Sequence, residues 1–254
     1  MDLPEIRSPK KADLLQMVQE LPEITARAPN LIFSAPVLHI VNEEDSHTYD
    51  TDSEPEPMTI IKNPKCRVLA MKTRETPRIT LVLDLDETLV HSEMNPLPHS
   101  DVIFKIKVNQ IEHTIYVAYR PGLLEFLKSV CKKFEVVIFT ASMKKYAEQV
   151  LKSLEQHVRL RYKLYRENCI EVKGQYIKDL RILGRDLRNV VIVDNSEQAF
   201  SCQPENGILI SSWFKDQKDN ELENVYNFLM NMELYEDVRD FLRISKYKSY
   251  RNLN

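Results

Sequence analysis

Apolar positions follow two different periods along this chain. Ile79-Thr80-Leu81-Val82-Leu83 is a continuous apolar and β-branched run, the pattern of a strand buried on both faces. Glu135–Thr140 (EVVIFT), Val190–Val193 (VVIV) and Gly207–Ile210 repeat it. Between the first two runs, after the break Arg120-Pro121-Gly122, Leu123, Leu124, Leu127, Val130 and Cys131 fall at helical spacing. Met143, Tyr146, Ala147, Val150, Leu151 and Leu154 define a second helical face, with Ser142 as its predicted N-cap. Phe104, Ile106 and Val108, then Ile115 and Val117, alternate at period two. They predict a β-hairpin over 101–118 with its turn near Asn109-Gln110. Lys173-Gly174-Gln175 predicts a turn between short strands, and 219–243 reads as helical. Strands alternating with helices predict an α/β domain with a parallel central sheet covered by helices.

This pattern begins near residue 76. Residues 1–75 form an acidic, Pro-containing region that cannot bury enough apolar surface to offset its ordering entropy, so it is expected to be mostly disordered. The domain is expected over 76–243, with a basic tail over 244–254. A net charge of -3 gives no electrostatic footprint for direct nucleic-acid binding. No window suits a membrane span and no signal peptide is visible, so a soluble monomer in the nucleus or cytoplasm is expected. Cys66, Cys131, Cys169 and Cys202 form no C-x-x-C pair and read as small core hydrophobes.

The informative residues follow the strands. Asp84 and Asp86, in Asp84-Leu85-Asp86-Glu87-Thr88, lie just past the first run, where open α/β sheets bind ligands. Thr140 ends the second run, and Asp194-Asn195 end the third. In a parallel sheet all of them gather at one edge. Acids there need a cation, a donor network or a catalytic task. The chemistry they suit is metal-assisted phosphoryl transfer. Asp84 is placed as a carboxylate nucleophile forming an aspartyl-phosphate. Asp86 is the candidate to protonate the leaving oxygen and then activate water. Asp84, Asp194, Asn195 and the main-chain carbonyl of Asp86 are oxygen ligands of the kind Mg²⁺ takes. The Thr140 hydroxyl and the following helix N-terminus suit phosphate oxygens. Lys178 is the candidate cation beside the nucleophile.

LVLDLDETLVHS (81–92), RPG (120–122), FEVVIFTAS (134–142), KLYRENC (163–169), GQYIKDLRILGRDL (174–187), VVIVDNS (190–196) and NGILISSWFKDQKDNEL (206–222) resemble, in one order, the Fcp/Scp-type C-terminal-domain phosphatases. These are also called NLI-interacting-factor-like and belong to the haloacid dehalogenase superfamily. The resemblance implies a Rossmannoid three-layer sandwich with a β-hairpin insertion. It implies Mg²⁺-dependent dephosphorylation of phosphoserine or phosphothreonine in a protein, the RNA polymerase II C-terminal repeat being the family's best-known target. Asp84 and Asp86 match the nucleophile and acid/base, Thr140 and Lys178 the phosphate-holding pair, and Asp194 and Asn195 the metal loop. Arg166 matches a basic residue near the substrate phosphate, and Tyr146 a pocket-lining tyrosine. One position departs: Glu197 stands where the family usually has Pro. Two other readings stay open on the same fold, a small-molecule or lipid phosphatase and a non-catalytic peptide-binding scaffold. Arg120 reads as a structural ion-pair partner, His91 and Ser92 as caps of the first active-site loop, and Trp213 as core.

Overall fold

The computed structural model describes residues 68–108 and 110–245. The expectations for the acidic segment up to residue 67, for Cys66 and for the tail from 246 lie outside the described residues. The central sheet has five parallel strands. They are β1 (Thr80–Leu83), β5 (Glu135–Phe139), β6 (Tyr162–Leu164), β9 (Val190–Asp194) and β10 (Gly207–Leu209), in the order β10-β9-β1-β5-β6. β1 is central, with Leu83 paired to Ile138 on one side and to Val193 on the other. Every residue of β1, β5 and β9 is buried, so both faces are covered, which is why these runs lack polar alternation. Gly207 opens β10 because the Phe200 ring occupies the place of a Cβ, its nearest atom 2.1 Å away.

A second, antiparallel sheet follows β1. It contains β2 (Val90–Glu93), β3 (Val102–Val108) and β4 (Ile111–Tyr119), ordered β2-β4-β3. The predicted hairpin is β3–β4. His91 and Ser92, expected as loop caps, belong instead to β2, where they pair with Ala118 and Val117. The third sheet is a two-stranded hairpin, β7 (Ile170–Val172) and β8 (Gln175–Ile177). Its two-residue turn, Lys173 (φ 50°) and Gly174 (φ 77°), has both residues left-handed, as tight hairpins with right-handed twist require.

Two helices match the predicted faces, α1 (Leu123–Lys133) and α2 (Lys144–Leu154). α1 starts from left-handed Gly122 (φ 76°) and carries Glu125 in its first turn and Lys132 and Lys133 in its last, in the sense its dipole favours. Ser142 does not cap α2. The N-cap is Met143, which makes no side-chain cap bond, and the Ser142 hydroxyl is bonded to Asp86 instead. The stretch 219–243 is two helices, α3 (Glu221–Met232) and α4 (Val238–Ile244). Arg78 breaks it: its guanidinium donates to the carbonyls of Glu233, Tyr235 and Glu236, while the Asp237 carboxylate accepts from the Arg239 N–H and starts α4.

Arg120 ties the sheets to the site-bearing loops. It is 1% exposed and donates Nε to Asp219 Oδ1 at 2.7 Å and Nη2 to Oδ2 at 2.8 Å. Nη1 donates to the carbonyls of Thr88 and Ser211. A buried ion pair is a poor source of net stability, but removing one member strands the other. Arg120→Ala is therefore expected to lower the unfolding free energy by about 3–5 kcal/mol in urea titration. Arg120→Met combined with Asp219→Leu is expected to recover much of that loss.

Candidate active site

The C-terminal edge of the sheet holds the candidate residues. Asp84 directly follows β1, and its N–H donates to the Val193 carbonyl of β9 at 3.0 Å. Thr140 follows β5, and its N–H is fixed by the Leu164 carbonyl of β6. Asp194 ends β9, with its own carbonyl accepting from the Ile210 N–H. Lys178 arrives from the end of β8. Its N–H donates to the Ala199 carbonyl, and Asp179 after it is buried against Arg181 and Gln203. Four separate elements thus meet at one point.

The centre of the site is an ammonium between two carboxylates. Lys178 Nζ donates to Asp84 Oδ1 at 2.5 Å and to Asp194 Oδ2 at 2.7 Å, and all three side chains are buried. Burial alone would lower the Lys178 pKa, but the two aspartates override it and hold the amine firmly protonated. Burial pushes Asp194 up to about 7, against the pull of Lys178 and with the Asp84 charge adding to the rise.

Asp86 is held quite differently. Its Oδ1 accepts from the Tyr146 hydroxyl at 2.6 Å. Its Oδ2 accepts from Ser142 Oγ at 2.7 Å and from Thr140 Oγ1 at 3.2 Å. Ser92 Oγ lies 2.5 Å from the Tyr146 hydroxyl and extends the chain. Burial raises the Asp86 pKa, the three hydroxyls oppose the rise and the Asp84 charge adds to it. The turn that follows is strained: Glu87 has φ 57°, held by its N–H on the Val90 carbonyl and its carbonyl on the Trp213 N–H. His91 sits between Glu87 and Glu93, which raise its pKa against the opposing effect of burial.

The remaining candidates are placed as follows. Thr140 is 1% exposed, and its hydroxyl also accepts from the Ser142 N–H. Tyr146 is fully buried, so it offers its hydroxyl to Asp86 rather than an open ring face to a pocket. Arg166 donates Nε to the Ala141 carbonyl at 2.7 Å and lies 4.7 Å from the centre of the Tyr176 ring, beside the 140–142 loop. Asn195 Oδ1 accepts from Thr88 Oγ1 at 3.3 Å, and its Nδ2 donates to Ser212 at 2.9 Å. Glu197 opens a short 3₁₀ turn (Glu197–Phe200) and is exposed. Trp213 is core, its indole N–H on the Asp216 carbonyl. Cys131, Cys169 and Cys202 are only half-buried. Burial pushes the Cys169 thiol, nearest the site, up to about 12, so it is no nucleophile at neutral pH.

The sequence reading missed Ser142 and Ser92 as site residues. Ser142 directly precedes a helical run, where a serine ordinarily caps, and nothing local distinguishes the two roles. Among the described residues no group of three His, Cys, Asp or Glu side chains is arranged to hold a metal. The oxygen set at the edge is two carboxylates, Asp84 and Asp194, and the Asn195 amide. This donor set suits a hard cation that keeps several waters.

A family profile described as NLI interacting factor-like phosphatase matches residues 79–239. The chain belongs to this family. It is 45% identical over 183 residues to a CTD small phosphatase-like protein 2 of Dictyostelium discoideum, covering 72% of this chain and 32% of that protein. It is 46% identical over 186 residues to CTD small phosphatase-like protein 3 of Caenorhabditis elegans, covering 72% and 64%. It is 40% identical over 172 residues to the human carboxy-terminal domain RNA polymerase II polypeptide A small phosphatase 1, covering 68% and 66%. The chain thus spans from 32% to 66% of these relatives' lengths. The family places it in the haloacid dehalogenase superfamily, whose α/β architecture with a parallel central sheet is the one described above. No helix among the described residues is long and apolar enough to cross a membrane.

Lys178→Met is expected to leave Asp84 and Asp194 facing each other, buried and unpaired. Its unfolding free energy in urea should fall by about 3–5 kcal/mol. A variant as stable as the parent would mean that Lys178 does not hold the two acids together.

Proposed function

We propose that this chain is a Mg²⁺-dependent protein serine/threonine phosphatase acting through an aspartyl-phosphate. The single observation that carries the reading is the pairing of two unlike aspartates at one sheet edge. Asp84 is gripped by a buried ammonium, and Asp86, two residues on, is gripped by hydroxyls. A nucleophile needs a fixed position beside a cation, and the Lys178 ammonium lies 2.5 Å from Asp84 Oδ1. An acid must carry a proton, and the environment of Asp86 raises its pKa. A peptide-binding scaffold would have no use for this costly buried arrangement.

In the reaction an Asp84 carboxylate oxygen attacks phosphorus and the bond to the substrate oxygen breaks. The Asp86 proton passes to that oxygen, which leaves as the serine or threonine hydroxyl. Water then attacks the acyl phosphate, its proton goes to Asp86, and inorganic phosphate leaves with Asp84 restored. Lys178 neutralises the nucleophile and holds it in line. Arg166 sits near the phosphate oxygens, with Thr140 beside them. Asp84, the Asp86 carbonyl, Asp194 and Asn195 would hold Mg²⁺, which supplies charge to an anionic substrate. The RNA polymerase II C-terminal repeat, named for the human relative, is the first protein substrate to try. Action as a monomer in the nucleus or cytoplasm completes the proposal.

The test is hydrolysis of p-nitrophenyl phosphate with Mg²⁺ and with EDTA, beside Asp84→Asn. Turnover is expected to need Mg²⁺ and to fall to background in the variant. A folded parent chain without activity would sink the phosphatase reading, and a variant with parent-like turnover would sink the aspartyl-phosphate.

A further inference from the structure

The β7–β8 hairpin sends two side chains toward the site, and the bridge to Asp84 and Asp194 uses only Lys178. Residues two apart along a strand point to the same face. Ile177 is buried on one face of β8, and Tyr176 and Lys178 lie on the other. The Tyr176 ring meets Arg166, whose guanidinium carbon lies 4.7 Å from the ring centre, within the range of a cation–π contact. Arg166 is also tied to the loop after β5. Its main-chain N–H donates to the Ser142 carbonyl at 3.2 Å and its Nε to the Ala141 carbonyl at 2.7 Å. That loop carries Thr140 and Ser142, whose hydroxyls reach Asp86. A single Nε bond lets the planar group turn about it, and a ring stacked on the guanidinium face stops that turn.

We propose that Tyr176 is a positioning residue: its ring sets the plane of the Arg166 guanidinium for the substrate phosphoryl group, so that one hairpin orients two cations of the site. This deepens the phosphatase reading and rests on it. Lys178 acts as a point charge, and two carboxylates already hold it. Arg166 has a stricter requirement. A guanidinium matches two phosphoryl oxygens only when its plane is aligned with them, which is what makes such pairs specific. The ring and the Ala141 carbonyl together supply that alignment before substrate arrives. Tyr176 and Arg166 are both half-buried, so the contact lies at the rim of the site rather than in the core.

A role that runs through Arg166 has a signature that general damage to the hairpin lacks: it disappears when Arg166 is gone. The experiment measures kcat/KM for p-nitrophenyl phosphate with Mg²⁺. The proteins are the parent chain, Tyr176→Phe, Tyr176→Ile, Arg166→Ala and the double variant Arg166→Ala with Tyr176→Ile. Tyr176→Phe keeps the ring face and is expected to stay within about 2-fold of the parent. Tyr176→Ile removes the face but keeps a side chain that strands favour, and is expected to lose about 3- to 30-fold. Arg166→Ala is expected to lose at least as much, and adding Tyr176→Ile to it to cost less than about 2-fold more. A shift of Lys178 or a loosened hairpin would act with or without Arg166. Equal Tyr176→Ile losses in the two backgrounds would therefore overturn the inference. So would a Tyr176→Phe as impaired as Tyr176→Ile, or a parent-like Tyr176→Ile or Arg166→Ala. If Arg166→Ala is too slow to measure, Arg166→Lys takes its place, because it keeps the charge and lacks the planar fork. If Tyr176→Ile melts below the assay temperature, Tyr176→Leu replaces it. A folded parent chain without activity removes the phosphatase reading and this inference with it. An active parent whose two substitutions act independently removes this inference only.

Discussion

The bridge from Lys178 to Asp84 and Asp194 is the interaction on which the site depends. It joins the ends of the two neighbouring strands β1 and β9 to a residue delivered by a separate hairpin. Taken alone, each of these charges would be intolerable at this burial. Together they are tolerable, because each carboxylate has the ammonium as a partner. The surrounding structure keeps Lys178 from escaping to solvent. The Lys173-Gly174 turn sets the register of β8, the Ala199 carbonyl holds the Lys178 N–H, and Asp179 is locked by Arg181 and Gln203. Positional rigidity of this sort is what makes a buried charge useful in catalysis.

Much of this was legible in the chain because buried parallel strands leave no room for ambiguity. Ile79–Leu83, Glu135–Thr140 and Val190–Val193 are apolar at successive positions, and polar groups directly after such runs must lie at the sheet edge. Asp84, Thr140 and Asp194 could therefore be placed together without a structure. β6 was not foreseen because it is three residues with Lys163 at its centre, too short and too polar to carry a period. The division of α3 from α4 was invisible because its cause, Arg78, lies more than 150 residues away. Ser92 and Ser142 were misread as caps for a related reason. A hydroxyl declares its role only through its partner, and here the partners lie 54 and 56 residues distant.

Asp84 and Asp86 share one short loop yet face different surroundings, and the backbone makes that possible. Alternate positions along an extended strand point the same way, so two acids at this spacing would crowd one side. The strand ends at Leu83, and the chain turns at once through Glu87 in a left-handed conformation. That turn is unfavourable for a residue with a side chain and persists only because neighbours enforce it. The Val90 carbonyl, the Trp213 N–H and the His91 ring each take part of Glu87. The small β2-β4-β3 sheet follows from the same turn, since β2 begins three residues later. Its role is thus more than a wall beside the site: by carrying Ser92 under Tyr146 it reaches Asp86 from behind. One aspartate is governed by a cation from the hairpin and the other by hydroxyls from α2 and the loop after β5, with Ser92 of β2 on the far side of Tyr146. Two identical side chains just past a common strand end thus differ because the fold gives each a different set of partners.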